Sequence, residues 1–247
     1  MTVCIAAQCL LLDGARGFVL CADTETSGAG IDNAVDKLYR LGWNYMALLS
    51  GPWGIVVSLA ARIRAEIEKR EPTDDDDLLG RLQIVASDFA KSPALYPKGS
   101  QPCDVVITGF MASEPVMVLV SIYGAKATSC RMFERVEIGS GYPIARAMLS
   151  QRRYTSLASL EKALYLVYEA KRLSEWADGV GQMTQIMIHA PMSPGPTATV
   201  DHSCFAYLSE AALVHLETLR KEFFVQPIKK VEAFPHDFFR GDYPFKS

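Results

Sequence analysis

Two kinds of apolar pattern divide the chain. Residues 3–11 (VCIAAQCLL) and 18–22 (FVLCA) are near-continuous β-prone runs, and Asp13-Gly14-Ala15-Arg16-Gly17 between them has turn chemistry, so a hairpin is predicted. A polar stretch over 24–32 reads as a loop, and two further strands are expected at 37–41 and 45–49, broken by Gly42-Trp43-Asn44. At Gly51-Pro52 the period changes. Ile55, Leu59, Ile63 and Ile67 recur every four residues, which places one buried stripe on a helix that ends near Arg70, ahead of Pro72. Pro52 suits the first helical position, where a missing N–H leaves no bond unmade. Thr73 followed by Asp74, Asp75, Asp76 and Asp77 predicts a hydroxyl-capped second helix whose acids face the positive end of its dipole.

Strands are then expected at 103–111, 115–122 and 130–138, and helices at 143–150 and 156–177, the second stopped by Asp178-Gly179. A strand at 183–190, a Pro/Gly-rich stretch, a strand at 198–207, a helix at 209–224 and an aromatic tail complete the order. Runs of strands followed by runs of helices predict an α+β layered fold, and no composition break marks a linker, so residues 1–247 read as one domain.

Composition narrows the function classes. A 49% apolar, 21% charged chain has a core to bury, and a net charge of −3 without a basic cluster speaks against nucleic acid or a polybasic membrane surface. The apolar N-terminal run has no basic residue before it, the first being Arg16, which is the wrong order for a secretory signal. Cys4, Cys9, Cys21, Cys103, Cys130 and Cys204 form no CxxC pair and sit in apolar contexts, so they read as buried hydrophobes in a reduced, cytoplasmic protein. No His/Cys spacing matches a zinc site, and no Gly-rich loop matches a phosphate cradle; neither metal nor cofactor is expected.

Four residues suggest chemistry when taken together. Thr2 follows Met1, Asp23 ends the second strand, Lys37 opens the third, and Gly51 stands where the fourth turns into a helix. Singly each also fits a structural role: a strand start, a turn former, an edge residue, a helix start. Jointly they suit an N-terminal nucleophile. A threonine hydroxyl needs a base. A free α-amine, with a pKa of about 8, serves at neutral pH where an unperturbed lysine does not. Removal of Met1 would give Thr2 that amine. Lys37 would favour the alkoxide-like state, Asp23 would keep the lysine charged, and the Gly51 amide would meet the oxyanion of acyl transfer.

These residues lie in segments that resemble the proteasome β-subunit-like N-terminal-nucleophile (Ntn) hydrolases and their bacterial relatives. TVCIAA resembles the family's opening strand, FVLCADTETS its second strand and Thr/Ser-rich loop, DKLYRL its lysine-bearing strand, and MALLSGPWG the strand that ends in Gly before the first long helix. IGSGYPIARAML resembles the Gly-Ser-Gly that begins a helix near the active site. The likeness covers about the first seventy residues and 138–150. It implies a four-layer α/β/β/α sandwich of two antiparallel sheets. It also implies a catalytic set of Thr2, Asp23, Lys37 and Gly51, with Ser140 supporting the threonine amine. Leu49 and Trp53 would line the pocket before the scissile bond, and the loop at Thr26 and Ser27 would pair with an extended peptide. The implied activity is a threonine-type peptidase acting on peptide or unfolded protein, assembled as a ring-shaped homo-oligomer. A catalytically silent assembly subunit and a small-amide amidohydrolase on the same fold are the alternatives.

Two departures stand out. The first hairpin is longer than the usual family pattern, and the residues that should support the threonine after the fourth helix read SEWADGVGQ, where Ser174, Glu175 and Asp178 are equal candidates. With only Met1 ahead of Thr2, self-cleavage of a propeptide is not expected. Asp201-His202-Ser203-Cys204 looks triad-like in text, but sequence neighbours rarely converge in a triad, and His189 reads as a structural histidine.

Overall fold

The computed structural model describes residues 2–24, 36–191, 203–223 and 239–240. Two antiparallel sheets lie at the centre. One carries β1 (Cys4–Leu10), β2 (Arg16–Asp23), β8 (Arg135–Ile138), β9 (Thr184–Pro191), β10 (Ser203–Leu208) and β11 (Phe239–Arg240), in the order β11-β10-β9-β2-β1-β8. The other carries β3 (Leu38–Arg40), β4 (Tyr45–Ser50), β5 (Cys103–Met111), β6 (Glu114–Tyr123) and β7 (Lys126–Met132), in chain order. Helices α1 (Trp53–Lys69) and α2 (Asp75–Lys91) cover the second sheet, and α3 (Tyr142–Gln151), α4 (Leu160–Ser174) and α5 (Glu210–Phe223) cover the first.

The side-chain period of two explains why the strands read as continuous apolar runs. In β1, Ile5, Ala7 and Cys9 face the α3–α4–α5 layer while Cys4 and Ala6 face the other sheet. In β4, Tyr45, Ala47 and Leu49 face α1 and α2 while Met46 and Leu48 face inward. Antiparallel sheets commonly keep one wet face and then alternate in polarity. Here helices cover both outer faces, so both sets of positions are apolar. The result is the α/β/β/α sandwich.

The helices follow their stripes. Val56, Leu59, Ala60, Ile63 and Ile67 are the buried face of α1, with Ile55 only partly buried at its edge. Pro52 is the N-cap and not the first helical residue, which makes Trp53 the first residue of the helix. At α2 the cap is Asp74, whose side chain accepts from the Asp77 N–H at 2.8 Å; a carboxylate there outcompetes the Thr73 hydroxyl expected from sequence. Ser159 caps α4.

One expected strand is two. Residues 130–138 contain the end of β7, a two-residue crossing at Phe133 and Glu134, and β8, so this apolar run passes from one sheet to the other. The third strand of that group also begins earlier, at Lys126. Five of the cysteines are buried and free; Cys130 is exposed, because β7 is an edge strand with alternate residues turned outward. Among the described residues no helix is long and apolar enough to cross a membrane, and no metal-binding cluster of His, Cys, Asp or Glu is found.

Candidate active site

Thr2, Asp23, Lys37, Gly51 and Ser140 are brought to one end of the sandwich. The β1–β2 hairpin sets Thr2 beside Asp23: Cys4 pairs with Ala22, and the Asp23 N–H donates to the Val3 carbonyl at 3.2 Å. Lys37 precedes β3, and its carbonyl accepts from the Leu49 N–H at 3.1 Å, which ties it to β4. Thr2 and Lys37 are each 4% exposed and Asp23 is fully buried, so their polar atoms must satisfy one another.

They do. Asp23 Oδ1 accepts from the Thr2 hydroxyl, from the Val3 N–H at 3.0 Å and from the Lys37 ammonium at 3.0 Å. Oδ2 accepts from the Gly181 N–H at 3.0 Å. Lys37 Nζ also donates to Thr2 Oγ1 at 2.8 Å. The hydroxyl therefore gives its proton toward a carboxylate and receives a cationic donor on its lone pair. Such an arrangement fixes the rotamer of Thr2 and places positive charge where an alkoxide would develop.

The main-chain side of Thr2 is held from β8 and its exit. The Thr2 carbonyl accepts from the Gly141 N–H at 3.2 Å and from the Ser140 hydroxyl at 3.3 Å. That serine bond is to the Thr2 carbonyl; the role that the resemblance gives Ser140 concerns the amine that removal of Met1 would free. Gly139, at φ +90°, approaches so closely that a Cβ would lie 2.2 Å from the Thr2 oxygen, so the first glycine of Gly-Ser-Gly is a steric requirement. Gly51 has φ +137°, and a Cβ there would meet the Cys103 sulfur and the Pro102 carbonyl oxygen at 2.9 Å.

Thr2, Lys37, Leu49, Gly51, Trp53 and Ser140 all line one cleft of about 940 Å³. Trp53 is 39% exposed there, so its role is at the cleft wall and not in the core; Leu49 is buried beneath. Thr26, Ser27 and His202 lie outside the described residues. Glu137, also on the cleft, is neutralised by Arg135 at 3.0 Å and Arg146 at 3.1 Å.

Three participants escape sequence reasoning. Cys4 places its thiol 3.8 Å from Thr2 Oγ1, yet burial first, and the Asp23 charge second, push its pKa up to about 12. It stays a thiol and does not compete as a nucleophile. After α4, none of Ser174, Glu175 and Asp178 is the group that reaches the centre. Ser174 bonds back to the Ala170 carbonyl, and Glu175 pairs with Lys171 and Arg172. The backbone of Gly181 makes that contact instead, and Lys171 holds the loop by donating to the carbonyls of Gly181 at 2.9 Å and Gln182 at 2.8 Å. A signal for Lys171 exists in the sequence: it falls on the buried stripe Leu160, Leu164, Val167, Lys171, Ser174, where an ammonium has to find partners. His189 is buried against Phe18, Phe110 and Phe205, far from chemistry, and bonds the Thr108 hydroxyl at 3.0 Å through Nδ1.

The architecture is that of the proteasome-type Ntn sandwich: two facing antiparallel sheets between helical layers. Among solved structures it is similar to eukaryotic HslV from Trypanosoma brucei, with a TM-score of 0.56 and 16% identity over 75% of this chain and 98% of that one. No protein-family profile matches the sequence, and no curated protein does.

Proposed function

We propose that this chain, as one domain, is a threonine-type peptidase that cuts peptide bonds through an acyl-enzyme on Thr2. The observation that carries the reading is the buried Thr2–Asp23–Lys37 cluster, in which the hydroxyl meets both a carboxylate and an ammonium and opens on a cleft. The proteasome-type fold and the likeness to HslV lend support from outside the site.

With Met1 removed, the Thr2 hydroxyl turns its proton from Asp23 to the freed α-amine, which accepts it as Oγ1 attacks the substrate carbonyl carbon. Lys37 stabilises the forming negative charge on Oγ1, and the Gly51 N–H donates to the oxyanion of the tetrahedral intermediate. Collapse breaks the C–N bond; the leaving amine takes the proton from the α-ammonium, and an ester on Thr2 remains. Water then attacks that ester, the amine again serving as base, and the carboxylic acid product leaves with the hydroxyl restored. Asp23 holds Lys37 oriented throughout by their 3.0 Å contact. The cleft, at about 940 Å³, has room for a peptide segment.

The resemblance also carries a ring of identical subunits into this reading; a monomer in light scattering would remove that part. The central test is covalent capture. Wild-type protein with a free Thr2 should gain the mass of a peptide epoxyketone or β-lactone, and Thr2→Ala should gain none while keeping its circular dichroism. Unmodified wild-type protein with a free Thr2 would overturn the nucleophile assignment.

A further inference from the structure

The cleft holds one charged group that nothing yet described accounts for. β4, β5 and β6 lie side by side, and their registered residues form rows across the sheet. On the face toward the other sheet, one row is Leu48, Val106 and Leu119, part of the apolar inter-sheet core. The next row on that face is Ser50, Asp104 and Ser121. The core therefore stops at a polar row beside Gly51, and Asp104 and Leu119 from these rows line the same cleft as Thr2.

The other charges at this cleft are compensated. Lys37 pairs with Asp23, and Glu137 sits between Arg135 and Arg146. Asp104 is part-buried and accepts a hydrogen bond from the Ser121 hydroxyl at 2.6 Å, but among the described residues no cation pairs with it. Burial pushes its pKa up, and only the Ser121 bond opposes that shift. A carboxylate half withdrawn from water, aimed at a substrate cleft and lacking a counter-ion, is a site for a positive group from the substrate.

We infer that Asp104 is a specificity-determining residue that favours peptides carrying an arginine or lysine side chain close to the scissile bond. A guanidinium or ammonium entering the cleft would donate to the carboxylate oxygen that Ser121 leaves unused, and would make there the ion pair the chain itself does not supply. In this part-buried position the pair is stronger than on an open surface. An acidic side chain at the same place meets like charge and is rejected. The inference rests on the peptidase reading for its substrate class, while the charge preference can be measured without turnover.

Fluorogenic peptides with Arg, Leu or Glu at each of the three positions before the scissile bond provide the test. One position should show a preference for Arg over Leu of about 10- to 100-fold in kcat/KM, with Glu poorest. Asp104→Asn, which keeps the volume and the Ser121 bond, should bring the Arg/Leu ratio close to one. Equal cleavage of Arg and Leu peptides by wild-type protein, or a preference unchanged in Asp104→Asn, overturns the inference. In parallel, calorimetric binding of the same peptides to Thr2→Ala reads charge selection alone. Arg-selective binding that Asp104→Asn abolishes supports Asp104 even if no peptide is cut, in which case it is the peptidase reading that falls. Binding without charge preference, or none, overturns the role of Asp104.

Discussion

Among the described residues two lysines are buried; each pairs with a carboxylate, and they differ in the other groups they bond. Lys37 lies at the mouth of the inter-sheet space and donates to a carboxylate oxygen and to a hydroxyl. Lys171 is fully buried in α4; it donates to Glu175 and to the carbonyls of Gly181 and Gln182. Both bear on Asp23. Lys37 touches it directly, whereas Lys171 holds the loop whose Gly181 N–H donates to Asp23 Oδ2. An ammonium bonded to a hydroxyl that can ionise can shift a reaction. Beyond its carboxylate Lys171 bonds only carbonyls, which cannot ionise, so it fixes the position of the chain. Burial alone does not distinguish the two; the identity of the acceptors does.

Substitution should separate them. Lys37→Ala removes the positive charge beside Thr2 Oγ1 and leaves the buried Asp23 carboxylate without its counter-ion. A loss of about 100- to 1,000-fold in kcat is expected together with a stability cost of about 3–5 kcal/mol, read by peptide turnover of the folded protein and by urea melts. Lys171→Met should act mainly through stability, because two buried carbonyls lose their donor. A cost of about 2–3 kcal/mol is expected, with Tm down by about 5–10 °C and kcat reduced only about tenfold. The comparison breaks if Lys171→Met matches Lys37→Ala in activity at an unchanged Tm.

A third buried base sharpens the contrast. His189 has no carboxylate beside it; burial first, and the Arg40 charge second, lower its pKa to about 3, and its Nε2 has no hydrogen-bond partner among the described residues. It folds neutral. Because the folded value lies below the unfolded one of about 6.5, its contribution is intact above pH 6.5 and declines as pH falls toward 3. Between pH 7.5 and pH 5 this amounts to about 2 kcal/mol. His189→Asn, which can still accept from Thr108, should flatten that part of the stability profile in urea melts. An unchanged acid slope would mean that other groups set it.

Much of the architecture is legible in the sequence because strand and helix periods differ. The run 3–11 and the stripe Leu59–Ile63–Ile67 need no tertiary knowledge. The split of 130–138 into β7 and β8 is not legible, since both halves are β-prone and only the pairing partners differ. At the site, Thr2, Asp23, Lys37 and Gly51 stand out because their chemistry resides in side-chain type or in a glycine. Gly181 does not, because it acts through a backbone N–H that nearly every residue possesses. Asp104 is not legible for a related reason: one polar residue at a strand start gains meaning only from the row formed with Ser50 and Ser121 across three strands.

The central strands β1 and β4 have no wet face, and that constrains how such a chain can drift over generations. A strand position facing water tolerates almost any polar residue, whereas one facing a helix or the opposite sheet admits only swaps of one apolar side chain for another of similar volume. Variation among descendants should therefore accumulate on the outer helical surfaces, where even large apolar residues such as Ile84 and Val214 already stand exposed. The strands would change letters while keeping their bulk. What is inherited is a set of volumes and a small buried cluster of charges, and lineages can lose visible kinship while both persist.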